Sequence, residues 1–155
     1  MMESKVPEIS FALMGITTEH FSVEEDGFSE KGSITIGTSI RFGTGQKQRI
    51  ISCFTGFIFE SDKKPFITVE AGCHFQIADE SWAQMVDKES GTLKVSRTLL
   101  THLAMLTVGT TRGILHAKTE NTRFNEFFLP AVNVSAMIKN DLLFESVKPR
   151  GKKSG

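Results

Sequence analysis

The sequence predicts an α+β fold, a four-stranded antiparallel sheet packed on one long helix, with a short helix near the C-terminus. Three observations lead there. Through the first three-fifths of the chain, apolar residues recur at every second position, punctuated by glycine and charged clusters. From Leu93 to about Leu115 the period becomes helical. Two long apolar runs, joined by Ser61-Asp62-Lys63-Lys64-Pro65, match apolar to apolar on one face, and a register shifted by two residues would keep the same faces.

The composition sets the frame. With 155 residues, 39% apolar and 23% charged, the chain reads as one domain over 1–155, with short flexible tails at about 1–8 and 146–155. Eighteen Lys+Arg cancel eighteen Asp+Glu, so no global field draws it to nucleic acid or anionic lipid. The opening Met-Met-Glu-Ser-Lys-Val-Pro has no apolar core. The longest stretch without Asp, Glu, Lys or Arg, Thr98 to Thr111, is 14 residues, against the roughly 20 a membrane span needs. Secretion and membrane insertion are therefore not expected, and two cysteines are too few for a disulfide scaffold or a zinc site. The expected location is the cytoplasm. Thirteen Phe, one Trp and no Tyr give aromatic area without hydroxyls, suited to contact rather than catalysis.

In the first strand Phe11, Leu13, Gly15 and Thr17 alternate with Ala12, Met14 and Ile16, which predicts cover on both faces near its start. Glu24-Glu25-Asp26-Gly27-Phe28-Ser29-Glu30-Lys31-Gly32 is too long and charged for a tight hairpin and reads as a crossover loop anchored by Phe28. The second strand sets Ile34, Ile36, Ile40 and Phe42 against Thr35, Gly37, Ser39 and Arg41, one dry face and one wet. Gly43-Thr44-Gly45-Gln46 offers the positive φ of a hairpin turn. A third strand then spans Gln48 to Glu60 and a fourth Phe66 to Ile77. Placing Glu60 opposite Phe66 sets Phe59 against Ile67, Phe57 against Val69, Cys53 against Cys73 and Ile51 against Phe75, so the odd-numbered face is the core. Ser52, Gly56, Thr68, Glu70, His74 and Gln76 form the solvent face, with Phe54 lying over Gly72. Facing thiols in a reducing compartment read as two small hydrophobes.

Along the long helix, apolar residues fall at Val95, Leu99, Leu100, Leu103, Ala104, Leu106 and Val108, more than one face. Between Thr98 and Thr111 the only ionisable side chain is His102, and the other positions not filled by apolar side chains are Thr or Gly. A helix with one side in water carries Lys and Glu there. This one is expected to bury both sides, the second against another copy of the chain through Leu99, Leu103, Leu106, Thr107 and Thr110, whose small members let backbones approach. A last helix starts near Asn133, an N-cap residue, with Val132 stapled on Met137 and Val134, Met137, Ile138 and Leu142 on one face. The chain ends in a basic tail from Lys148.

The motifs that carry catalysis are missing from the sequence: no G-x-S-x-G, no H-E-x-x-H, no P-loop and no C-x-x-C. His20, His74, His102 and His116 share no ligand spacing with one another or with a cysteine, so no metal, cofactor or catalytic residue is expected. Gly43-Thr44-Gly45 has strands on both sides and no helix to hold a phosphate. Glu24-Glu25-Asp26 reads as solvated loop charge. Apolar residues outside the strands stand out instead: Phe21, Val23 and Phe28 in or beside the crossover, and Phe124, Phe127, Phe128 and Leu129 before the last helix. Each either plugs its own core or walls a groove for extended apolar polypeptide; the sequence leaves both open.

The order of motifs resembles the SecB family of export chaperones. It is carried by Phe11 to Ile16 running into Ile16-Thr17-Thr18-Glu19-His20-Phe21-Ser22-Val23-Glu24, by Val69-Glu70-Ala71-Gly72-Cys73-His74-Phe75-Gln76-Ile77, by Arg112-Gly113, and by Leu129-Pro130-Ala131-Val132-Asn133-Val134-Ser135-Ala136-Met137-Ile138. The resemblance implies a SecB-like fold assembled as a dimer of dimers through the long helix. It implies an ATP-independent holdase, not an enzyme, whose grooves bind unfolded or partly folded polypeptide clients. Carried over by position, the groove residues are Phe21, Val23, Phe28, Ile34, Val134, Met137, Ile138 and Leu142, to which the loop phenylalanines Phe124, Phe127 and Phe128 are added. The chain departs from the family in three ways: a longer loop between Gly113 and Pro130, His20 and Thr68 where export members are acidic, and a basic tail. These weigh against docking to the translocase motor and fit an antitoxin-guarding relative as well as an export chaperone. Two other classes remain, a hot-dog-like small-ligand or acyl-thioester enzyme and an assembly protein with one fixed partner.

Overall fold

The computed structural model describes residues 8–146. The alternating half of the chain forms β1 (Phe11–Val23), β2 (Ile34–Gly45), β3 (Ile50–Ser61) and β4 (Lys64–Ile77), one antiparallel sheet in the order β1-β4-β3-β2. Then follow α1 (Asp79–Met85), β5 (Leu93–Val95), α2 (Arg97–Lys118), α3 (Val134–Met137) and β6 (Leu142–Phe144), with β6 pairing antiparallel to β5 in a second, two-stranded sheet. The α+β class holds: the long helix α2 lies across β3 and β4 on one face of the sheet.

The β3–β4 register is the expected one from Ile51 opposite Phe75 to Phe59 opposite Ile67, with Cys53 facing Cys73. It fails at the hairpin end, where Glu60 faces Pro65 rather than Phe66. Asp62 and Lys63 both take positive φ, 51° and 72°, in a two-residue turn that sets Ser61 opposite Lys64, and a bulge between Phe59 and Glu60 absorbs the difference. The β2–β3 connection also differs. Gly43 and Gly45 stay in β2, Gln46–Gln48 form a single 3-10 turn, and the left-handed residue is Arg49 at φ 58°.

Three expectations about covering are corrected. β1 is an edge strand, and because α2 runs over the two central strands, the apolar side chains just past Phe11 are bare: Leu13 and Ile16 are half exposed, at 51% and 50%, and Met14 is exposed too. β1 also continues to Val23, so Phe21 and Val23 belong to the sheet and not to the crossover. Finally, Leu93 to Val95 is strand. The helix starts after Ser96, whose Oγ accepts from Leu99 N at 3.1 Å, an N-cap.

The inner side of α2 buries Leu99, Leu100, Leu103, Ala104, Val108 and Leu115 against Ile51, Cys53, Phe57, Val69, Cys73 and Phe75 of the sheet core. Thr107 and Thr111 fit there because their hydroxyls are satisfied: Thr107 Oγ1 donates to Leu103 O at 2.8 Å, and Thr111 Oγ1 lies 2.7 Å from Thr55 Oγ1. The last helix is one turn, not the longer element expected. Asn133 Oδ1 accepts from Ala136 N at 3.2 Å, as an N-cap does. Arg97 then takes the carbonyls of Ile138 (2.6 Å) and Ser135 (2.7 Å), while Asp141 Oδ1 accepts from Arg97 N at 2.7 Å. These bonds turn the chain out of the helix, so Leu142 lies in β6 opposite Val95. Val132 packs on the core but Met137 is exposed, so the expected staple is not made. The basic tail from Lys148 lies outside the described residues. Among the described residues no helix is long and apolar enough to cross a membrane.

Candidate functional site

The crossover loop and the segment after α2 come together on the sheet. Phe28 sits 4.9 Å from Phe66, centroid to centroid, and 5.5 and 5.7 Å from Phe124 and Phe127. Phe66 and Phe127 are 5.1 Å apart, and Phe59 and Phe127 6.0 Å. Most of these contacts are edge-to-face, the arrangement aromatic quadrupoles favour. The crossover reaches this position because Gly27 lies against Pro65 O with no room for a Cβ. Arg123 roofs the cluster, its guanidinium 5.0 Å over Phe28 and 5.1 Å over Phe124, and an oxygen of Glu25 lies 3.9 Å from it. Beside the cluster a cleft of about 350 Å³ stays open, lined by Phe28, Glu30, Ile34, Arg123, Glu126 and Phe127.

The residues expected to wall a groove divide between the two readings left open. Phe124, Val134 and Ile138 are buried and plug their own core, because the post-helix segment folds back onto the sheet. Phe28 and Phe127 are half-buried and line the cleft, with Ile34 exposed at its mouth. Phe21 and Val23 lie half-buried on β1, with Lys118 Nζ 5.9 Å over the Phe21 ring. Phe128, stacked on His116 at 6.0 Å, is exposed, as are Met137 and Leu142.

Of the helix residues expected to meet a second copy, Leu99, Leu103 and Thr107 belong inside the protomer, with Leu103 at 0% exposure. Leu106 is 44% exposed and Thr110 half-buried, so these two remain outside. Sequence reasoning missed Met105, at 59%, and His102 and Gly109 beside it. Spacing was the available signal: His102, Met105, Leu106 and Gly109 repeat at helical intervals opposite Leu100, Leu103 and Ala104. A second opening, about 680 Å³, was also missed. It is lined mainly by Ile9, Phe11, Met85, Val86, Leu99 and His102, with Gln84, Asp87, Lys94 and Ser96 among its polar members. It depends on α1 and β5, which the sequence reading did not foresee.

The opposite sheet face carries a polar chain. Ser52 Oγ lies 2.7 Å from His74 Nδ1, His74 Nε2 lies 3.0 Å from Thr17 Oγ1, and Thr17 Oγ1 donates to Glu19 at 2.6 Å. Serine beside histidine is a nucleophile's arrangement, but β3 pairs on both sides at Ser52, opposite Gly43 and His74, so its backbone amides serve the ladders rather than an oxyanion. Phe54 covers Gly72, where a Cβ would come within 2.7 Å of the ring, and Arg41 lies 4.0 Å over Phe54 while pairing with Glu70 at 3.3 Å. Cys53 and Cys73 are buried free thiols, and burial, only partly offset by the Thr107 hydroxyl, pushes the Cys53 thiol up to about 12. Among the described residues no three His, Cys, Asp or Glu side chains cluster as a metal site would require. No family model matches the chain, and neither does any curated protein.

Proposed function

We propose that this chain is a SecB-like, homo-oligomeric, ATP-independent holdase that keeps non-native polypeptides from aggregating in the cytoplasm, in protein export or as the guardian of one client such as an antitoxin. The observation that carries it is the outward side of α2. From Thr98 to Thr111 it offers Met105, Leu106 and Gly109 with no Lys, Arg, Asp or Glu, and β1 adds the bare Leu13 and Ile16. Water-facing apolar area of this kind marks an interface, and the reading fills it with further copies of the chain. The cleft lined by Phe28, Ile34 and Phe127 is then the place for a client, which it holds by buried area without reading sequence.

The test is retardation of refolding. A slow-folding, unrelated protein diluted from denaturant should regain activity more slowly when this chain is present at one assembly per client, without ATP. Unchanged refolding at that ratio would sink the proposal. A second reading is favoured by the apolar opening at Phe11, Met85 and Leu99, which is large enough for an acyl chain or similar small ligand. Saturable binding of a fatty acid, with refolding unaffected, would select it. Capture of one folded partner and no unfolded chain would instead mark an assembly protein.

A further inference from the structure

We propose that the segment from Arg123 to Phe127 is a removable latch, which fills the aromatic cleft with two of the chain's own rings and is displaced by the rings of an incoming unfolded chain. The inference rests on the holdase reading and names the regulation of that same site.

The cleft has a floor and a filling, and they come from different parts of the chain. Phe59 and Phe66 belong to β3 and β4, and Phe28 is held by the close approach of Gly27 to Pro65, so these three rings are set by the sheet. Phe124 and Phe127 arrive on the connection between α2 and α3 and lie on that floor at 5.1 to 6.0 Å. A client offering two aromatic or large aliphatic side chains would bury a similar apolar area, so the exchange costs little.

The hydrogen bonds of the segment are local, so it can melt off the floor without disturbing the sheet. Phe124 N donates to Thr122 Oγ1, Asn125 N to Thr122 O and Phe127 N to Phe124 O, all within one 3-10 turn. Asn125 Nδ2 donates to His116 O at 3.0 Å and lies 3.1 Å from Thr119 Oγ1, which hinges the turn on the end of α2. Across the cleft, among the described residues, polar attachment comes from Arg123, through its stacking on Phe28 and its exposed pairing with Glu25. Opening the latch therefore breaks ring contacts, one weak ion pair and the bonds of this single 3-10 turn, and leaves the strand ladders intact. The open space of about 350 Å³ beside Phe127 admits the first side chain of a client. A closed latch lowers apparent affinity by the fraction of molecules it keeps shut.

The probe is reduced, carboxymethylated α-lactalbumin, which stays unfolded. In the unaltered protein, saturating probe should speed hydrogen exchange at the amides of Phe124, Asn125 and Phe127 while the sheet amides stay protected. Arg123→Glu, which sets two carboxylates side by side, should bind the probe about fivefold tighter with an unchanged circular dichroism spectrum. If the probe binds while those three amides keep their protection, the latch is wrong and the holdase reading stands. If neither protein binds the probe, both fall. If only Arg123→Glu binds, both stand, with the latch shut in the resting protein. The exchange measurement needs no variant, so it decides the matter even where Arg123→Glu misfolds.

Discussion

Two leucines three residues apart on α2 should respond in opposite ways to the same substitution. Leu103 is fully buried among the sheet residues, whereas Leu106 is 44% exposed on the outward side. Truncating a buried leucine costs about 2–5 kcal/mol, and an unpaired buried carboxylate adds more. For Leu103→Glu the total reaches the order of 5 kcal/mol or above, a large part of the roughly 5–15 kcal/mol that holds a domain together. That variant should be unfolded by circular dichroism. Leu106→Glu puts a good helix former on a surface, and the protomer's own stability should change by less than about 0.5 kcal/mol. In an assembly that packs α2 against α2, however, each copy would bring an uncompensated charge into the interface. The expected outcome is a folded protomer with a native circular dichroism spectrum and a reduced mass by sedimentation. A folded Leu103→Glu would refute the placement of the helix, and a Leu106→Glu assembly of undiminished mass would refute the outward side of α2 as the interface.

Other consequences are more local. Native Cys53 and Cys73 should resist alkylation at pH 8 and react at once in denaturant, because both are buried and the Cys53 thiol is raised to about 12. The sign also sets a pH dependence: between about 9 and about 12 the unfolded chain loses the Cys53 proton and the folded one keeps it, so urea midpoints should fall as pH rises through that window. Arg97→Met removes the donors to Ser135 O and Ile138 O and should free α3 and β6, costing about 1–3 kcal/mol and raising exchange over 134–144. Gly72→Ala drives a Cβ into the Phe54 ring and should lower stability by about 1–2 kcal/mol through displacement of Phe54 and the stacked Arg41, read as a drop in melting temperature.

The sheet was legible because burial on one face leaves a period-two record. Which face of β3 and β4 is the core follows from pairing apolar with apolar, since a one-residue slip would expose it, whereas a two-residue shift keeps the faces and the fold itself sets Cys53 opposite Cys73. The slip at Glu60 was not legible, because the positive φ of Asp62 and Lys63 decides it and neither residue announces that conformation as glycine does. The bare side of β1 was misread for another reason: Leu13, Met14 and Ile16 are apolar whether the cover comes from the same protomer or from another chain. On α2 the absence of charge marked two apolar sides, but not which leucines belong to the side that faces the sheet. The one-turn α3 depends on Arg97, 38 residues before Ser135, a contact no local pattern encodes. In the candidate site the phenylalanines were found from composition and position, while the burial of Phe124 and the roof of Arg123 required the fold.

The most direct measurement is sedimentation of this chain mixed with an unfolded protein and, separately, with the same protein folded. The account predicts a multimer of the chain that carries the unfolded protein with it, needs no nucleotide and ignores the folded form. A single protomer sedimenting alone in both mixtures would contradict it.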